Sequence, residues 1–344
     1  MITKYFKLSG ADDEVFERCG EIIRSGGLVA FPTETVYGLG VSAFSAESVP
    51  RVFAAKGRPI DNPLIVHIAY PEDAERVAFT SEVYYELAER FMPGPLTVIL
   101  PKKDVVPDEV TGGLDSVGVR CPSHPAAHRL ILASGVPIAA PSANLSGAPS
   151  PTSGKHVMRD MDGRCDAVID GGSSDFGLES TVICLDGRRA TILRPGAVTR
   201  EDLLEVCSEV VVSDAVMNPA AAGERPLSPG MKYKHYSPEA EFVLIDADDK
   251  EFFEYINSLD EDGVGAIVSD SEKTLLKNAR HYSYGKDGDI KELCHSLFAI
   301  FRQADDDNIK KLYARLPGKD GQSLALYNRM IRAAGNRIVC PTKR

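Results

Sequence analysis

The chain has 344 residues, 43% hydrophobic and 26% charged, which suits two soluble domains of ordinary composition. A net charge of −11, from 39 Lys+Arg against 50 Asp+Glu, disfavours a broad sequence-independent nucleic-acid surface and leaves only local basic patches open. No apolar run reaches the roughly 20 residues of a membrane span, and Met1-Ile-Thr-Lys-Tyr-Phe6 lacks the layout of a secretory signal, so a cytoplasmic location is expected. Cys19, Cys121, Cys165, Cys184, Cys207, Cys294 and Cys340 are odd in number and form no Cys-x-x-Cys pair. Scattered reduced thiols are expected rather than a disulfide framework, a zinc site or a catalytic cysteine.

Apolar residues at three- and four-residue spacing predict helices over Ala11–Ser25, Ser45–Ala55, Ser81–Phe91, His124–Ser134, Ser153–Met161 and Arg200–Cys207. Between them, short apolar runs predict strands at Leu28–Pro32, Leu64–Ile68, Leu96–Leu100, Val117–Cys121, Ile138–Pro141, Ala167–Ile169, Thr181–Leu185 and Thr191–Leu193. This mixture argues for an α/β domain around a twisted, mixed sheet over residues 1–212. Residues 213–239 are rich in Pro, Ala and Gly and read as a linker. Over 240–344 the α/β pattern resumes. Strands are predicted at Phe242–Ile245, Val264–Val268 and His281–Tyr284, and helices at Lys250–Leu259, Glu272–Ala279 and Ile290–Ala304. Lys310–Arg315 and Leu324–Ala334 complete a small, open, mostly parallel sheet domain. It has no Gly-x-Gly-x-x-Gly loop, so no dinucleotide site is implied.

Five segments could carry chemistry. In Phe31-Pro-Thr-Glu-Thr-Val-Tyr-Gly-Leu39 a buried strand runs into hydroxyls and glycines, which suits either a ligand pocket at a strand end or a tight turn. In Lys56-Gly-Arg-Pro59 two cations flank a glycine; they could hold a polyphosphate or cap a helix, and His67 downstream reads as a core residue. Pro141-Ser-Ala-Asn-Leu-Ser-Gly147 ends a strand in small polar groups, fit for a ligand or for an ordinary turn. Glu179-Ser-Thr-Val-Ile183 and Arg194-Pro-Gly196 place an arginine at a strand end, on a phosphate or at the surface. Ser228-Pro-Gly-Met-Lys-Tyr-Lys-His-Tyr-Ser-Pro238 packs aromatics, lysines and a histidine into the linker, as a segment folding over a site would.

Taken in order across about residues 20–238, these segments resemble the YrdC-type threonylcarbamoyl-AMP synthases in their long, two-domain form. The resemblance implies a YrdC-like twisted mixed-sheet domain with a large cavity, a linker acting as a lid, and a small Rossmann-like α/β C-terminal domain. It implies that L-threonine, bicarbonate and ATP, the last with Mg2+, give threonylcarbamoyl-AMP and pyrophosphate. The product serves threonylcarbamoyladenosine formation beside the tRNA anticodon, which implies a link to the transfer machinery and, more weakly, contact with tRNA or double-stranded RNA. Residue by residue, Thr35, His67, Arg120, Ala140 and Ser180 would bind threonine or the carbamate. Lys56, Arg58, Asn62, Ser116, Ser142, Asn144, Ser150 and Arg194 would face ATP, and Tyr236 would close over the nucleotide. Ser116 stands where the family often has threonine, and the hydroxyl is retained. Lys56, Arg58 and Arg194 would carry the phosphate chemistry, with no covalent nucleophile, no named acid–base residue and no protein metal ligands. The hydrogenase-maturation carbamoyltransferases share a similar domain, but the zinc-binding Cys-x-x-Cys pairs of that family are missing here. A non-catalytic RNA-binding module is the other alternative, disfavoured by the acidic balance.

Overall fold

A computed structural model describes residues 2–10, 12–57, 62–217 and 236–341. The chain divides into two compact units, one of Met1–Ser146 and Ser150–Lys232, the other of Gly147–Pro149 and Tyr233–Arg344. In the first unit the strands are β1 (Lys4–Lys7), β2 (Val29–Phe31), β3 (Gly38–Ser42), β4 (Ile65–His67), β5 (Leu96–Pro101), β6 (Ser116–Arg120), β7 (Ile138–Ala140), β8 (Ala167–Asp170), β9 (Thr181–Asp186), β10 (Arg189–Arg194) and β11 (Glu209–Val212). They form one mixed sheet of order β1-β8-β2-β3-β7-β4-β6-β5-β9-β10-β11.

Strand alternation divides the side chains between two cores. Leu39, Val41, Val66, Val98, Val117, Val119 and Ala139 point into one, beneath helices Val49–Lys56 and Glu82–Phe91. Val29, Phe31, Ile138 and Ala140 point to the other face, which helices Asp13–Arg24 and Pro125–Ser134 cover in part with Phe16, Cys19, Ile23, Leu130 and Ile131. Ile65 pairs with both Gly118 and Ala140, and His67 with both Arg120 and Ile138, so His67 and Arg120 share that second face.

The glycines of β3 are steric requirements of this face. A Cβ on Gly40 would lie 2.9 Å from the Phe31 ring and 2.7 Å from Ile138, and one on Gly38 would lie 3.1 Å from the same ring. They make room for the Phe31 ring against the neighbouring strand, and they also hide β3 from a pattern reading, because glycine is depleted in strands.

The second unit holds β12 (Glu241–Ile245), β13 (Val264–Val268), β14 (Arg280–Ser283), β15 (Lys311–Arg315) and β16 (Ile338–Val339), in the order β14-β13-β15-β12-β16 with every pairing parallel. Its core packs Val243, Ile245, Val264, Ala266, Val268 and Tyr313 against Phe252, Phe253 and Ile256 of helix Asp249–Asn257. That helix opens with a capping box, in which Asp248 accepts from the Glu251 N–H at 2.8 Å, a feature worth about 1 kcal/mol.

One predicted helix is corrected. Glu272–Ala279 forms only a 3-10 turn at Lys273–Leu275. Glu272 turns back to accept from the Ser269 N–H at 2.8 Å, and Asn257 engages the Leu275 carbonyl and the Lys277 N–H at 2.8 and 2.9 Å. Side chains thus take the backbone groups that a helix would need. Two predicted helices are shorter than expected: the first starts at Val49, after a turn tied by Ser45 and Ser48 at 2.7 Å, and the α-helical part of the second is Arg200–Leu203. Among the described residues no helix is long and apolar enough to cross a membrane.

Candidate active site

Three buried clusters gather most of the predicted residues. The first joins two motifs through Lys56, the last residue of its helix, which is only 3% exposed. Its Nζ donates to the carbonyls of Ser142 at 2.5 Å and Asn144 at 2.7 Å, while its own carbonyl accepts from the Ser146 N–H at 2.9 Å. Ser142 Oγ in turn donates to Asn144 Oδ1 at 2.6 Å. Gly57, at φ +62°, ends the helix in the left-handed conformation that glycine adopts without penalty. The lysine therefore ties the 141–146 turn to the helix end. Arg58 lies outside the described residues.

In the second cluster Thr35 is fully buried, its Oγ1 2.9 Å from that of Thr33, and Thr33 Oγ1 also donates to the Val36 carbonyl at 2.6 Å. This hydroxyl pair folds the turn that precedes β3. His67 ends β4 with its Nδ1 3.1 Å from the Ile65 carbonyl, and the Phe31 ring meets it edge-on at 5.8 Å. A carbonyl only accepts, so this contact is a hydrogen bond in the tautomer that carries the proton on Nδ1. Burial first, and the Arg120 charge second, hold His67 down to about 3, so it stays neutral at ordinary pH. Arg120 ends β6 and lies 2.8 Å from the Glu34 carboxylate, both side chains almost wholly buried. Burial pushes the Glu34 carboxyl up, but the Arg120 guanidinium together with hydrogen bonds from the Glu34 and Ser123 backbone keeps the group below the usual carboxylate range. Ala140 ends β7 on the same face.

The third cluster is built on Ser180 and Arg194. Arg194 donates from Nε to the Ser180 carbonyl at 3.1 Å and from Nη2 to Ser180 Oγ at 3.0 Å, and Ser180 Oγ also lies 2.8 Å from Thr97 Oγ1. A Cβ on Gly196 would sit 2.4 Å from the Thr181 nitrogen and 2.7 Å from the Ser180 carbonyl carbon. Only glycine lets the Arg-Pro-Gly turn lie against that backbone. Ser150, distant in sequence, is buried against the residue before Ser180: its Oγ donates to Glu179 Oε1 at 2.5 Å.

Other predicted residues stand apart from these clusters. Asn62 is buried ahead of β4. Ser116 begins β6 while Arg120 ends it, about 13 Å apart along an extended strand. Tyr236 is buried in the second unit, its ring stacked on Phe298 at 5.5 Å with the Arg329 guanidinium 5.5 Å away. The rest of the aromatic and basic linker segment, 228–235, lies outside the described residues.

Glu34, Thr33, Glu179 and Thr97 belong to these clusters and escape sequence reasoning. The one usable signal was that Glu34 lies between two threonines inside a motif already singled out, because a carboxylate buried there demands a cation. Among the described residues no group of three His, Cys, Asp or Glu could hold a metal ion.

Comparison with known proteins finds relatives of both domains. Residues 21–196 match the Sua5–YciO–YrdC family, described as "Telomere recombination", and residues 198–335 match the threonylcarbamoyl-AMP synthase C-terminal domain. Threonylcarbamoyl-AMP synthase of Pyrococcus abyssi is 44% identical over 326 residues, covering 92% of this chain and 93% of that protein. The Bacillus subtilis synthase is 38% identical over 332 residues, covering 95% of each. The crystal structure of P. abyssi Sua5 complexed with L-threonine superposes with a TM-score of 0.90 at 40% identity, over 99% of both chains.

Proposed function

Because this chain belongs to the threonylcarbamoyl-AMP synthase family through both of its domains, we infer that it joins L-threonine, bicarbonate and ATP into threonylcarbamoyl-AMP and pyrophosphate. It is a nucleotidyltransferase acting on small molecules for tRNA modification. What carries this conclusion is the 44% identity to a threonylcarbamoyl-AMP synthase along nearly the whole of both chains.

The described residues suit that chemistry. Forming the carbamate needs amine and bicarbonate held together, which is mostly a matter of position. The neutral His67, the Thr33–Thr35 hydroxyls and the Arg120 charge would hold the amino acid in a buried face. Attack of the carbamate on the α-phosphate then builds negative charge on phosphate oxygens. Arg194, already oriented by Ser180, would meet that charge with a rigid fork. Lys56 and Ser142–Asn144 would form a nucleotide-facing wall whose shape the lysine fixes from behind. Magnesium would arrive on the triphosphate as part of the ATP substrate.

The labile adenylate implies delivery to a threonylcarbamoyl-transferring partner that acts on tRNA, and hence a cytoplasmic setting. Incubation with ATP, L-threonine and 13C-bicarbonate should give an adenylate carrying the label, seen by mass spectrometry. Its absence from an enzyme that turns over ATP would contradict the assignment.

A further inference from the structure

Asp170, the last residue of β8, joins three other segments of the first unit. Its carboxylate accepts from the Tyr5 hydroxyl on β1, from the Gly172 N–H at 3.0 Å and from the Gly154 N–H, and Tyr37 Oη lies 3.2 Å from its Oδ1. Burial pushes the Asp170 carboxyl up, but these contacts, that of Tyr5 foremost, keep it below the usual carboxylate range. A Cβ on Gly154 would stand 2.5 Å from the carboxylate carbon, so only glycine lets the start of helix Gly154–Met161 close on that charge. The peptide dipoles of the helix favour a carboxylate at that end.

Tyr37 carries the hold of Asp170 toward the residues assigned to ATP. It is wholly buried, and its hydroxyl donates to the Gly172 carbonyl at 2.6 Å and accepts from the Gly171 N–H at 3.1 Å. Its own N–H donates to the Pro151 carbonyl at 2.9 Å, and its own carbonyl accepts from the Ala143 N–H at 2.8 Å. Ala143 stands between Ser142 and Asn144, and Pro151 directly follows Ser150. The 150–154 segment is therefore held twice, through Tyr37 at Pro151 and by the carboxylate itself at Gly154. The turn that carries Thr35 hangs on different bonds. Thr33 Oγ1 donates to the Val36 carbonyl at 2.6 Å and accepts from the Thr35 and Val36 N–H groups, each at 3.2 Å.

We propose that Asp170 is a positioning residue for the nucleotide: through Tyr37 and Gly154 it sets the spacing between the segment that presents Ser142 and Asn144 and the segment that presents Ser150. Asp170 touches no reacting atom, and no bond is made or broken at it. A carboxylate is suited to the task because it accepts several hydrogen bonds at once and strengthens each by its charge. The proposal rests on the reading of Ser142, Asn144 and Ser150 as ATP-facing.

The test sets the KM for ATP beside the KM for L-threonine in pyrophosphate release. Asp170→Asn keeps the size of the side chain and removes its charge, while Tyr37→Phe keeps the ring and removes the hydroxyl. Each should raise the KM for ATP roughly tenfold, the lower end of what a hydrogen bond to a charged group is worth, with the KM for threonine unchanged. A purely structural Asp170 would weaken both substrates alike or neither, with a lower melting temperature, and either result would overturn the proposal. Should Asp170→Asn fail to fold, Tyr37→Phe carries the comparison alone. Ser142→Ala in the same assay probes the reading underneath. If its KM for ATP is unchanged, the nucleotide assignment falls and the proposal with it. If that KM rises in Ser142→Ala but in neither of the other two variants, the proposal alone falls.

Discussion

Arg194 grips Ser180 twice, through the carbonyl at 3.1 Å and through the hydroxyl at 3.0 Å, so the end of β10 fixes the residue just ahead of β9. The guanidinium plane is thereby set before any ligand arrives, and preorganised charge of this kind stabilises a transition state without reorganisation at the moment of reaction.

Arg194→Lys should lower threonine-dependent pyrophosphate release roughly a hundredfold, because an ammonium keeps the charge and loses the fork. Ser180→Ala, which removes one of the two grips, should cost less. Steady-state assays on both variants check the order, and an unchanged rate in Ser180→Ala would mean that Arg194 is not held through the Ser180 hydroxyl.

Gly196→Ala should disturb the same pair from below. Its Cβ would stand 2.4 Å from the Thr181 nitrogen, and rigid backbone cannot give way as a side-chain tip can. Overpacking of this kind costs about 1–3 kcal/mol. Urea unfolding should show that loss together with reduced turnover. Normal stability and turnover would show that the turn can shift freely.

Lys56→Met should lower thermal stability as well as turnover. The variant keeps the length and apolar stem but leaves the Ser142 and Asn144 carbonyls without this donor, at about 1–3 kcal/mol for each buried group so stranded. Calorimetry would register a melting temperature several degrees lower. An unchanged melting temperature with lost activity would assign Lys56 to the phosphates alone.

His67 gives the fold a pH dependence. Its folded value of about 3 lies below the ordinary 6.5, so between those limits the unfolded chain binds a proton that the folded chain refuses. Stability from this group is therefore complete above pH 6.5 and is lost as pH falls below it. Denaturant titrations at pH 7, 6 and 5 should show wild type losing up to about 1.4 kcal/mol per pH unit more than His67→Asn. Parallel slopes would mean that His67 takes up its proton in the folded state.

The fold was legible where apolar runs were unbroken, as at Leu96–Leu100 and Val264–Val268. It was hidden where residues serve a distant partner. Gly38 and Gly40 weaken the strand signal of β3 because they make room for Phe31, and the pattern at 272–279 looked helical because Asn257, fifteen or more residues away, is invisible to a local window. The site divides the same way. Motif residues such as Ser142 and Arg194 could be named, but the pairing of Glu34, in the turn after β2, with Arg120 at the end of β6 is brought about only by the sheet order.

The most direct test of the assignment is pyrophosphate release from ATP by the purified chain, with L-threonine and bicarbonate supplied together and each withheld in turn. Release that needs both is the predicted result. Release that continues at full rate without either one would contradict a threonylcarbamoyl-AMP synthase.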